Sequence, residues 1–264
     1  MCEVLVTLRA VKELAMIDNE TLIKLRAMRL SGMAECLENM LSTPSSDAYS
    51  TLDVVKMSVD YEWERRQNAK LKRLQKRAKL IQPYADISDI RMVGHRTLDI
   101  ELINRLSIGN YLVRHQDVVL QGPTGSGKSY IACALSNKAC QQSHSTLYLS
   151  ASDLFDRLSM AERLGERRRV LDALVKVELL VIDDWFLKEP TVEQVQQLHV
   201  LVDRRHRNSS TIYCTQLTAD EWHERMEEKV LADAIVDRIV NNAHITVLNC
   251  EESLRKYFNS MSED

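Results

Sequence analysis

The stretch that decides the fold is Gly122-Pro123-Thr124-Gly125-Ser126-Gly127-Lys128-Ser129. It matches the phosphate-binding pattern G-x-x-x-x-G-K-[ST]. Its glycines allow a tight turn, so that successive backbone N–H groups can surround an anion. Lys128 is expected to reach the β- and γ-phosphates of a nucleoside triphosphate, and the Ser129 hydroxyl is expected to bind Mg²⁺. We therefore predict a nucleotide site over residues 122–130, with Tyr130 at its end.

The residues around this loop favour a phosphate site over a flexible glycine turn that matches by chance. Residues 117–121 (DVVLQ) are typical of a short buried strand, and residues 130–140 are typical of an apolar helix. A phosphate loop needs this order, because the helix that follows it also directs its N-terminal donors at the anion.

Strands and helices alternate after this point, which predicts a parallel sheet of five strands with helices on both faces. The predicted strands are Val118–Gln121, Thr146–Leu149, Leu179–Ile182, Thr211–Thr215 and Ile245–Leu248. The third predicted strand is followed directly by Asp183 and Asp184. An acid at this point can hold the Mg²⁺ shell and the next can activate water; the alternative is a buried strand followed by an acidic helix cap.

The first part of the chain has helical periodicity instead. One helix is predicted over 20–41 and a longer one over about 52–80, separated by a polar breaker at 42–47 and ended by Gln82-Pro83. We therefore predict a small all-helical N-terminal domain at 1–83, a linker at 84–115 and an α/β domain at 116–264.

Charge is unevenly distributed along the 264 residues, whose formal net charge is −3. Eight cations occur between positions 65 and 79 with no acid among them. An unbalanced run of this kind indicates a polyanion partner, although a solvated helix face is the alternative. The DNA contacts predicted here are Arg65, Arg66, Lys70, Arg73, Lys76 and Arg77. Arg167 and Arg168 form a second candidate, with pairing to Glu162 and Glu166 as the alternative.

The remaining composition indicates a cytoplasmic protein. The six cysteines are scattered without a C-x-x-C pair, which favours buried reduced thiols over a zinc site. Charged residues interrupt the apolar N-terminal stretch, so it does not resemble a signal peptide. No apolar run approaches the roughly 20 residues that a membrane span needs, and we expect no membrane partner.

Several ordered stretches together resemble the IstB-like helper ATPases of insertion sequences, which are AAA+ proteins related to the helicase loader DnaC. The resemblance extends from about Leu22 to Lys256. The stretches that carry it are LRAMRLSGMAE at 25–35, the phosphate loop, LVIDDW at 180–185, TQL at 215–217, EWH at 221–223, LADAIVDRIVNNAH at 231–244 and SLRK at 253–256.

The resemblance implies a role for several residues, of which Arg238 and Arg255 are otherwise unremarkable. Asp183 resembles the metal-shell aspartate and Asp184 the water-activating acid. Gln216 resembles the sensor of the γ-phosphate, with Thr215 as a neighbouring possibility. Arg238 resembles the arginine finger that reaches the ATP of the next subunit, and Arg255 resembles the second sensor arginine.

The implied function is an ATP- and Mg²⁺-dependent ATPase that assists transposition. It would assemble as a homo-oligomer on duplex DNA, prepare the target and recruit its cognate transposase. A DnaC-like helicase loader and an ATP-switched adaptor that hardly hydrolyses ATP remain alternatives. The adaptor remains an alternative because of Asp184. Most AAA+ proteins have the longer Glu at this position, so hydrolysis is expected to be slow. Phe186 and Cys250 also depart from the family pattern.

Overall fold

The computed structural model describes residues 19–42, 50–90, 97–250 and 253–254. The chain divides into two compact units, with the division after Lys72. This point lies inside a helix, whereas the sequence analysis puts the domain boundary after Pro83, where that helix has ended. Within the described ranges, no helix combines the length and the apolar character that a membrane crossing requires.

The first unit contains three helices in its described part: α1 at 19–27, α2 at Ser31–Leu41, and α3 at Thr51–Ala78, whose last turns belong to the second unit. Leu22, Leu25 and Ala34 form its small buried core. The all-helical prediction for this part of the chain is confirmed, but the single helix predicted over 20–41 is two helices, because the chain turns at 28–30, where Arg29 has a φ of 61°. α3 ends close to where the sequence pattern ends it.

A carboxylate on α3 caps α2. The residue before α2 provides no side-chain cap, and the first amides of a helix need acceptors from elsewhere. The buried Glu62 accepts from the Gly32 amide at 2.6 Å and from the Met33 amide at 3.3 Å, and it pairs with Arg66. Burial by itself would raise the pKa of Glu62, but the hydrogen bonds from Arg66 and the two amides bring it below its ordinary value.

The second unit is a parallel sheet with helices packed on it. Its strands are β1 (Asp117–Gln121), β2 (Thr146–Ser150), β3 (Leu179–Trp185), β4 (Ser210–Thr215) and β5 (Ala243–Val247). Its further helices are α4 (Ile100–Ser107), α5 (Asn110–Val113), α6 (Lys128–Gln141), α7 (Ala151–Arg163), α8 (Arg167–Lys176), α9 (Val192–Arg205), α10 (Ala219–Glu224) and α11 (Lys229–Val240). A 3₁₀ turn covers Ile87–Asp89.

The five strands lie in the order β2-β3-β4-β1-β5, and every pairing is parallel. The predicted fold is therefore confirmed, with each predicted strand present and every strand end within three residues of the predicted one. β1 lies between β4 and β5, and β4 separates it from β3. Because the carboxyl ends of parallel strands share one edge, the ends of β1, β4 and β3 meet in that order.

The core of this unit lies between the sheet and its helices. Strand residues such as Val119, Leu180 and Ile182 are almost fully buried, together with Leu154 of α7 and Leu198 of α9. Both faces of the central strands are covered, which is why β1 and β3 contain continuous apolar runs, at 118–120 and 179–182, instead of alternating ones. This packing holds the carboxyl ends of the strands in fixed positions.

A buried polar network holds the opposite, amino-terminal edge of the sheet. The buried Arg205 guanidinium donates to the carbonyls of Leu174 (2.7 Å) and Val177 (2.8 Å), among others. Asp117 accepts from the Thr211 amide at 2.6 Å. Burial raises the pKa of Asp117 to about 7, although the Thr211 hydrogen bond and the Arg205 charge oppose the shift. Burial also lowers the pKa of Arg205 to about 10.

Candidate functional site

The glycine loop connects β1 to α6 at the carboxyl edge of the sheet. Its first residue is bound to the neighbouring strand, because the Gly122 amide donates to the Thr215 carbonyl at 3.0 Å. Its last glycine, Gly127, is the N-cap of α6 with φ of 90°. α6 then begins at Lys128, so the free amides of its first turn point toward the loop. The predicted strand–loop–helix arrangement is thus present.

Two glycines of the loop are required by close contacts. A Cβ at Gly122 would lie 2.3 Å from the Leu248 carbonyl oxygen. A Cβ at Gly125, whose φ is +82°, would lie 2.2 Å from the Ser253 Oγ. The Leu254 amide also donates to the Gly125 carbonyl at 3.0 Å. Leu248, Ser253 and Leu254 therefore pack directly against the loop.

Lys128 is buried at the start of α6 and bridges the loop. Its Nζ donates to the carbonyl oxygens of Gly122 at 2.6 Å and Pro123 at 2.8 Å. Burial lowers the pKa of Lys128. The nearby Asp183 and Asp184 carboxylates oppose this shift. The ammonium can exchange its neutral carbonyl partners for an anion, which suits the predicted contact with the phosphates.

Hydroxyl and carboxylate oxygens meet beside the loop. The Ser129 Oγ donates to Asp183 Oδ2 at 2.7 Å, across 54 positions of sequence. The Tyr148 hydroxyl of β2 donates to the same Asp183 oxygen. Burial and the nearby Asp183 carboxylate raise the pKa of Tyr148 and also that of the Cys214 thiol. Both groups therefore stay protonated and can donate to Asp183 at neutral pH.

This oxygen set fits Mg²⁺. Mg²⁺ prefers oxygen ligands and usually binds through one or two protein groups together with water and substrate phosphates. Ser129 and Asp183 supply such groups next to the loop. In the described ranges, no three His, Cys, Asp or Glu side chains come together as a metal-binding group. A cation here would therefore complete its shell with phosphate and water oxygens.

Asp184 follows at an irregularity of the sheet. The β3–β4 register shifts between Ile182 and Trp185, and Asp184 has a φ of 56°. Aspartate tolerates this left-handed conformation better than most residues. Its amide donates to Asp183 Oδ1 at 2.9 Å, which joins the two acids. The side chain of Asp184 is exposed, whereas that of Asp183 is buried. The two acids therefore point to different environments.

The end of β4 separates the two possible sensor residues. The Thr215 hydroxyl is buried, donates to the Trp185 carbonyl at 3.2 Å and accepts from the Trp222 indole at 3.1 Å. Gln216 is exposed. The Thr215 side chain therefore ties β4 to β3 and α10, whereas the Gln216 amide is accessible at the edge where the acids and the loop lie.

Arg238 lies in the last turn of α11. Its guanidinium pairs with Asp203 of α9 at 2.9 Å and donates to the Ala234 carbonyl at 3.0 Å. About 30% of its side chain is exposed. Arg255, the other predicted arginine, lies outside the described residues.

Tyr130 contacts the segment that precedes the core. Its hydroxyl lies 3.3 Å from both the amide and the carbonyl oxygen of Asp86. Nearby on α6, the Asn137 side chain donates to the carbonyls of Pro83 and Ala85 at 2.9 Å. Residues 83–86 therefore cover one face of α6 next to the loop.

The predicted DNA contacts differ in their ion pairs. Arg65 pairs with Glu35 at 3.1 Å and Arg66 pairs with Glu62, so the run is less unbalanced than its sequence indicates. In the described ranges, the other cations of the run, Lys70, Lys72, Arg73, Lys76, Arg77 and Lys79, have no ion pair.

In the second group of predicted DNA contacts, Arg167 and Arg168, both positive charges have an acidic partner. Arg167 pairs with Glu162 at 3.2 Å, and Arg168 lies 4.0 Å from Asp172. The alternative to DNA contact is that these arginines pair with nearby acids, and the observed ion pairs favour it. α3 is therefore the stronger candidate for a polyanion surface.

Sequence reasoning did not predict Tyr148, whose hydroxyl donates to Asp183. The strand register, which the sequence does not provide, explains the contact: Ser150 pairs with Asp183, and a residue two positions earlier lies on the same face of the sheet.

Comparison with known proteins identifies the family. Residues 23–262 match the model of the family described as IstB-like ATP binding protein. A putative insertion sequence ATP-binding protein of Sinorhizobium fredii is 38% identical over 243 residues, covering 91% of this chain and 98% of that relative. The putative ATP-binding protein of insertion sequence IS1162 from Pseudomonas fluorescens is 37% identical over 202 residues, covering 76% and 87%.

Solved structures agree on the fold. The crystal structure of the DnaC helicase loader superimposes with a TM-score of 0.55 at 17% identity, covering 62% of this chain and 96% of that one. The phosphate loop, the paired acids of β3 and the family match agree with one another, and the chain belongs to the IstB-like ATP-binding proteins.

Proposed function

We propose that this protein is a DNA-binding helper ATPase of insertion-sequence transposition, whose bound ATP controls its assembly on duplex DNA. The observation that carries the proposal is the hydrogen bond between Ser129 of the phosphate loop and Asp183 of β3. It joins the two halves of a P-loop ATPase site across 54 residues. The names of its relatives supply the insertion-sequence context.

The loop binds the triphosphate. Backbone amides of residues 122–129 and the N-terminus of α6 donate to the phosphates, and Lys128 exchanges its two loop carbonyls for the β- and γ-phosphate oxygens. Ser129 and Asp183 would hold Mg²⁺, which would supply charge neutralisation at the phosphates. ATP binding therefore replaces contacts that the loop makes with itself.

Hydrolysis is a direct attack of water on the γ-phosphorus. Asp184 takes the proton of the water as the oxygen–phosphorus bond forms, and ADP leaves with the β–γ bridging oxygen. Gln216 contacts the γ-phosphate from the end of β4. The exposed position of Asp184 and the accessible Gln216 amide support these roles. Because the aspartate is one methylene shorter than glutamate, the protein alone hydrolyses ATP slowly. Binding of DNA or a partner raises the rate.

Assembly completes the site. Arg238 approaches the ATP of a neighbouring subunit and stabilises the charge of the transition state. Its position in the last turn of α11, partly exposed and oriented by Asp203, supports this role. ATP binding and oligomerisation are then linked, because the nucleotide lies at the subunit contact.

DNA binds through the cations of α3. Lys70, Arg73, Lys76 and Arg77 have no ion pair in the described ranges, so they can neutralise phosphates without breaking an existing interaction. Phosphate contacts position a protein without reading sequence. This property suits a helper that prepares many targets and recruits its transposase to them.

Two other functions are compatible with the same site. A helicase loader of the DnaC type shares the fold, but the curated relatives that match more than nine-tenths of this chain are insertion-sequence proteins. An ATP-switched adaptor would bind ATP and DNA with hardly any hydrolysis. Steady-state ATPase measured with DNA and transposase separates the adaptor from a working enzyme.

The test of the proposal is DNA binding by wild type and Lys128→Ala over a salt series, with and without ATP. Wild type should bind duplex DNA tightly only with ATP, and its affinity should fall steeply with salt, by roughly 0.9 log units per log unit of salt for each phosphate contact. Lys128→Ala should lose the ATP-dependent part. Lys138→Ala is the matched control, since Lys138 is an exposed lysine of the same helix.

Two results would contradict the proposal. One is DNA binding that does not change with ATP in wild type. The other is an affinity that does not depend on salt, which would exclude phosphate contacts as its source.

A further inference from the structure

Asp183 has a hydrogen-bond donor that lies outside the nucleotide loop. Tyr148 is buried in β2, and its hydroxyl donates to Oδ2 of Asp183. The same oxygen accepts from the Ser129 hydroxyl at 2.7 Å. One carboxylate oxygen is thus held from two sides, by the loop and by a neighbouring strand.

The strand register explains why this contact is well defined. β2 and β3 pair in parallel with Ser150 opposite Asp183. Tyr148 lies two residues before Ser150 and therefore projects from the same face of the sheet as Asp183. Both side chains are carried by strands that pair directly with each other, so their relative position does not depend on the conformation of the glycine loop.

A second tyrosine shows that burial alone does not require such a contact. Tyr111 is also buried, and its hydroxyl has no hydrogen-bond partner in the part of the chain that the structure describes. Tyr148, by contrast, places its hydroxyl on the one acid that faces Ser129. Burial of the Tyr148 hydroxyl therefore does not by itself explain its hydrogen bond to the Asp183 carboxylate.

We propose that Tyr148 is a positioning residue, whose hydroxyl holds the Asp183 carboxylate in the orientation that Mg²⁺ binding requires. Partners of this kind orient ligands and tune metal affinity through them. Tyr148 acts through Asp183 and does not touch the nucleotide. The inference rests on the proposed ATP and Mg²⁺ site, and it adds a strand-borne group that keeps the acid in place before the nucleotide arrives.

The experiment compares Tyr148→Phe with Tyr111→Phe, which removes a buried tyrosine hydroxyl that has no hydrogen-bond partner among the described residues. The affinity for a fluorescent ATP analogue is measured by anisotropy, first in EDTA and then over a Mg²⁺ titration. For Tyr148→Phe, the Mg²⁺ concentration that gives half of the affinity gain should rise about tenfold, in line with the effect of lost outer-shell partners. Affinity in EDTA and the melting temperature should stay at the wild-type values.

The outcomes separate this inference from the function on which it rests. A Mg²⁺ midpoint equal to that of wild type and Tyr111→Phe would overturn the role of Tyr148 alone. A loss of affinity already present in EDTA, or a lowered melting temperature, would assign Tyr148 a purely structural role and overturn it too. If wild type itself gains no affinity from Mg²⁺, the proposed metal site fails, and the inference fails with it.

Discussion

Two buried aspartates lie at opposite edges of the same parallel sheet, and their surroundings differ. Asp183 receives donors from Ser129 and Tyr148 at the carboxyl edge. Asp117 lies at the amino edge, where it is buried with the Thr211 amide as its donor and Arg205 nearby. The first arrangement suits a metal ligand, whereas burial dominates at Asp117 and makes its ionisation costly.

Asp117 therefore makes stability depend on pH. Its pKa is about 7 in the folded state against an ordinary value of 3.8, so the folded state holds a proton that the unfolded state releases. This contribution is fully present below about pH 4 and is lost as pH rises to about 7. Three pH units correspond to an upper bound of about 4 kcal/mol.

The variant Asp117→Asn tests this dependence, because asparagine keeps an acceptor for the Thr211 amide and cannot ionise. The free energy of unfolding in urea is measured by tryptophan fluorescence. Relative to the wild-type value, we expect the value for Asp117→Asn to increase by about 2–4 kcal/mol between pH 4 and pH 7. Asp156→Asn, on an exposed face of α7, is the control. A difference between wild type and Asp117→Asn that stays constant over this range would show that Asp117 is ionised throughout.

At the scale of secondary structure elements, the N-terminal helices are joined by side chains more than by a large core. The hydrophobic core cluster in the described part of this unit is small, and its buried residues, Leu22, Leu25 and Ala34, belong to α1 and α2. The cap that Glu62 of α3 places on the N-terminus of α2 therefore matters more than a surface hydrogen bond would. A charged acceptor at this position also interacts favourably with the helix dipole.

Removing this cap should loosen α2. In Glu62→Ala, we expect amide hydrogen exchange within residues 31–41 to speed up by roughly tenfold to a hundredfold, since a lost charged cap costs about 1–3 kcal/mol. Mass spectrometry of the full chain measures this. Glu64→Ala is the matched control, because Glu64 is exposed two positions away on the same helix. Equal exchange in the two variants would show that α2 does not depend on Glu62.

The pH dependence of α2 should have the opposite sign to that of Asp117. The pKa of Glu62 is lowered in the folded state, so its contribution is present above the ordinary value of 4.5 and is lost as pH falls through the folded value. The two acids thus make the two units respond to pH in opposite directions.

At the scale of the whole molecule, the proposed site is shared between subunits. The chain itself supplies the loop, Asp183, Asp184 and Gln216. Asp203 holds Arg238 on the surface of its own subunit. The orientation of the guanidinium is therefore already set before a neighbouring subunit binds.

Mixing two inactive variants tests this sharing. Asp184→Asn should bind ATP and lose at least a hundredfold in turnover, as expected for a missing general base. Arg238→Ala should bind ATP and lose about a thousandfold, as expected for a missing arginine finger. A mixture of the two should recover part of the wild-type ATPase rate, because some contacts then pair an intact Asp184 with an intact Arg238.

The control for the mixture is Arg238→Ala mixed with Lys176→Ala, which keeps all of the proposed catalytic groups and shows the rate expected when one partner is intact. An Asp184→Asn and Arg238→Ala mixture that stays as inactive as its components would contradict a site shared between subunits. Normal turnover by Arg238→Ala alone would contradict the finger role altogether.

The sequence by itself determined the strand–loop–helix of the phosphate site, the five parallel strands and the acid pair that ends β3. These features depend on local pattern: glycine spacing, apolar runs and their lengths. It could not provide the Ser129–Asp183 hydrogen bond, the Tyr148 contact, the separation of Thr215 from Gln216, or the pairing of Arg65 and Arg66 with acids. The tertiary structure decided these, because strand order and register bring together side chains that are tens of residues apart.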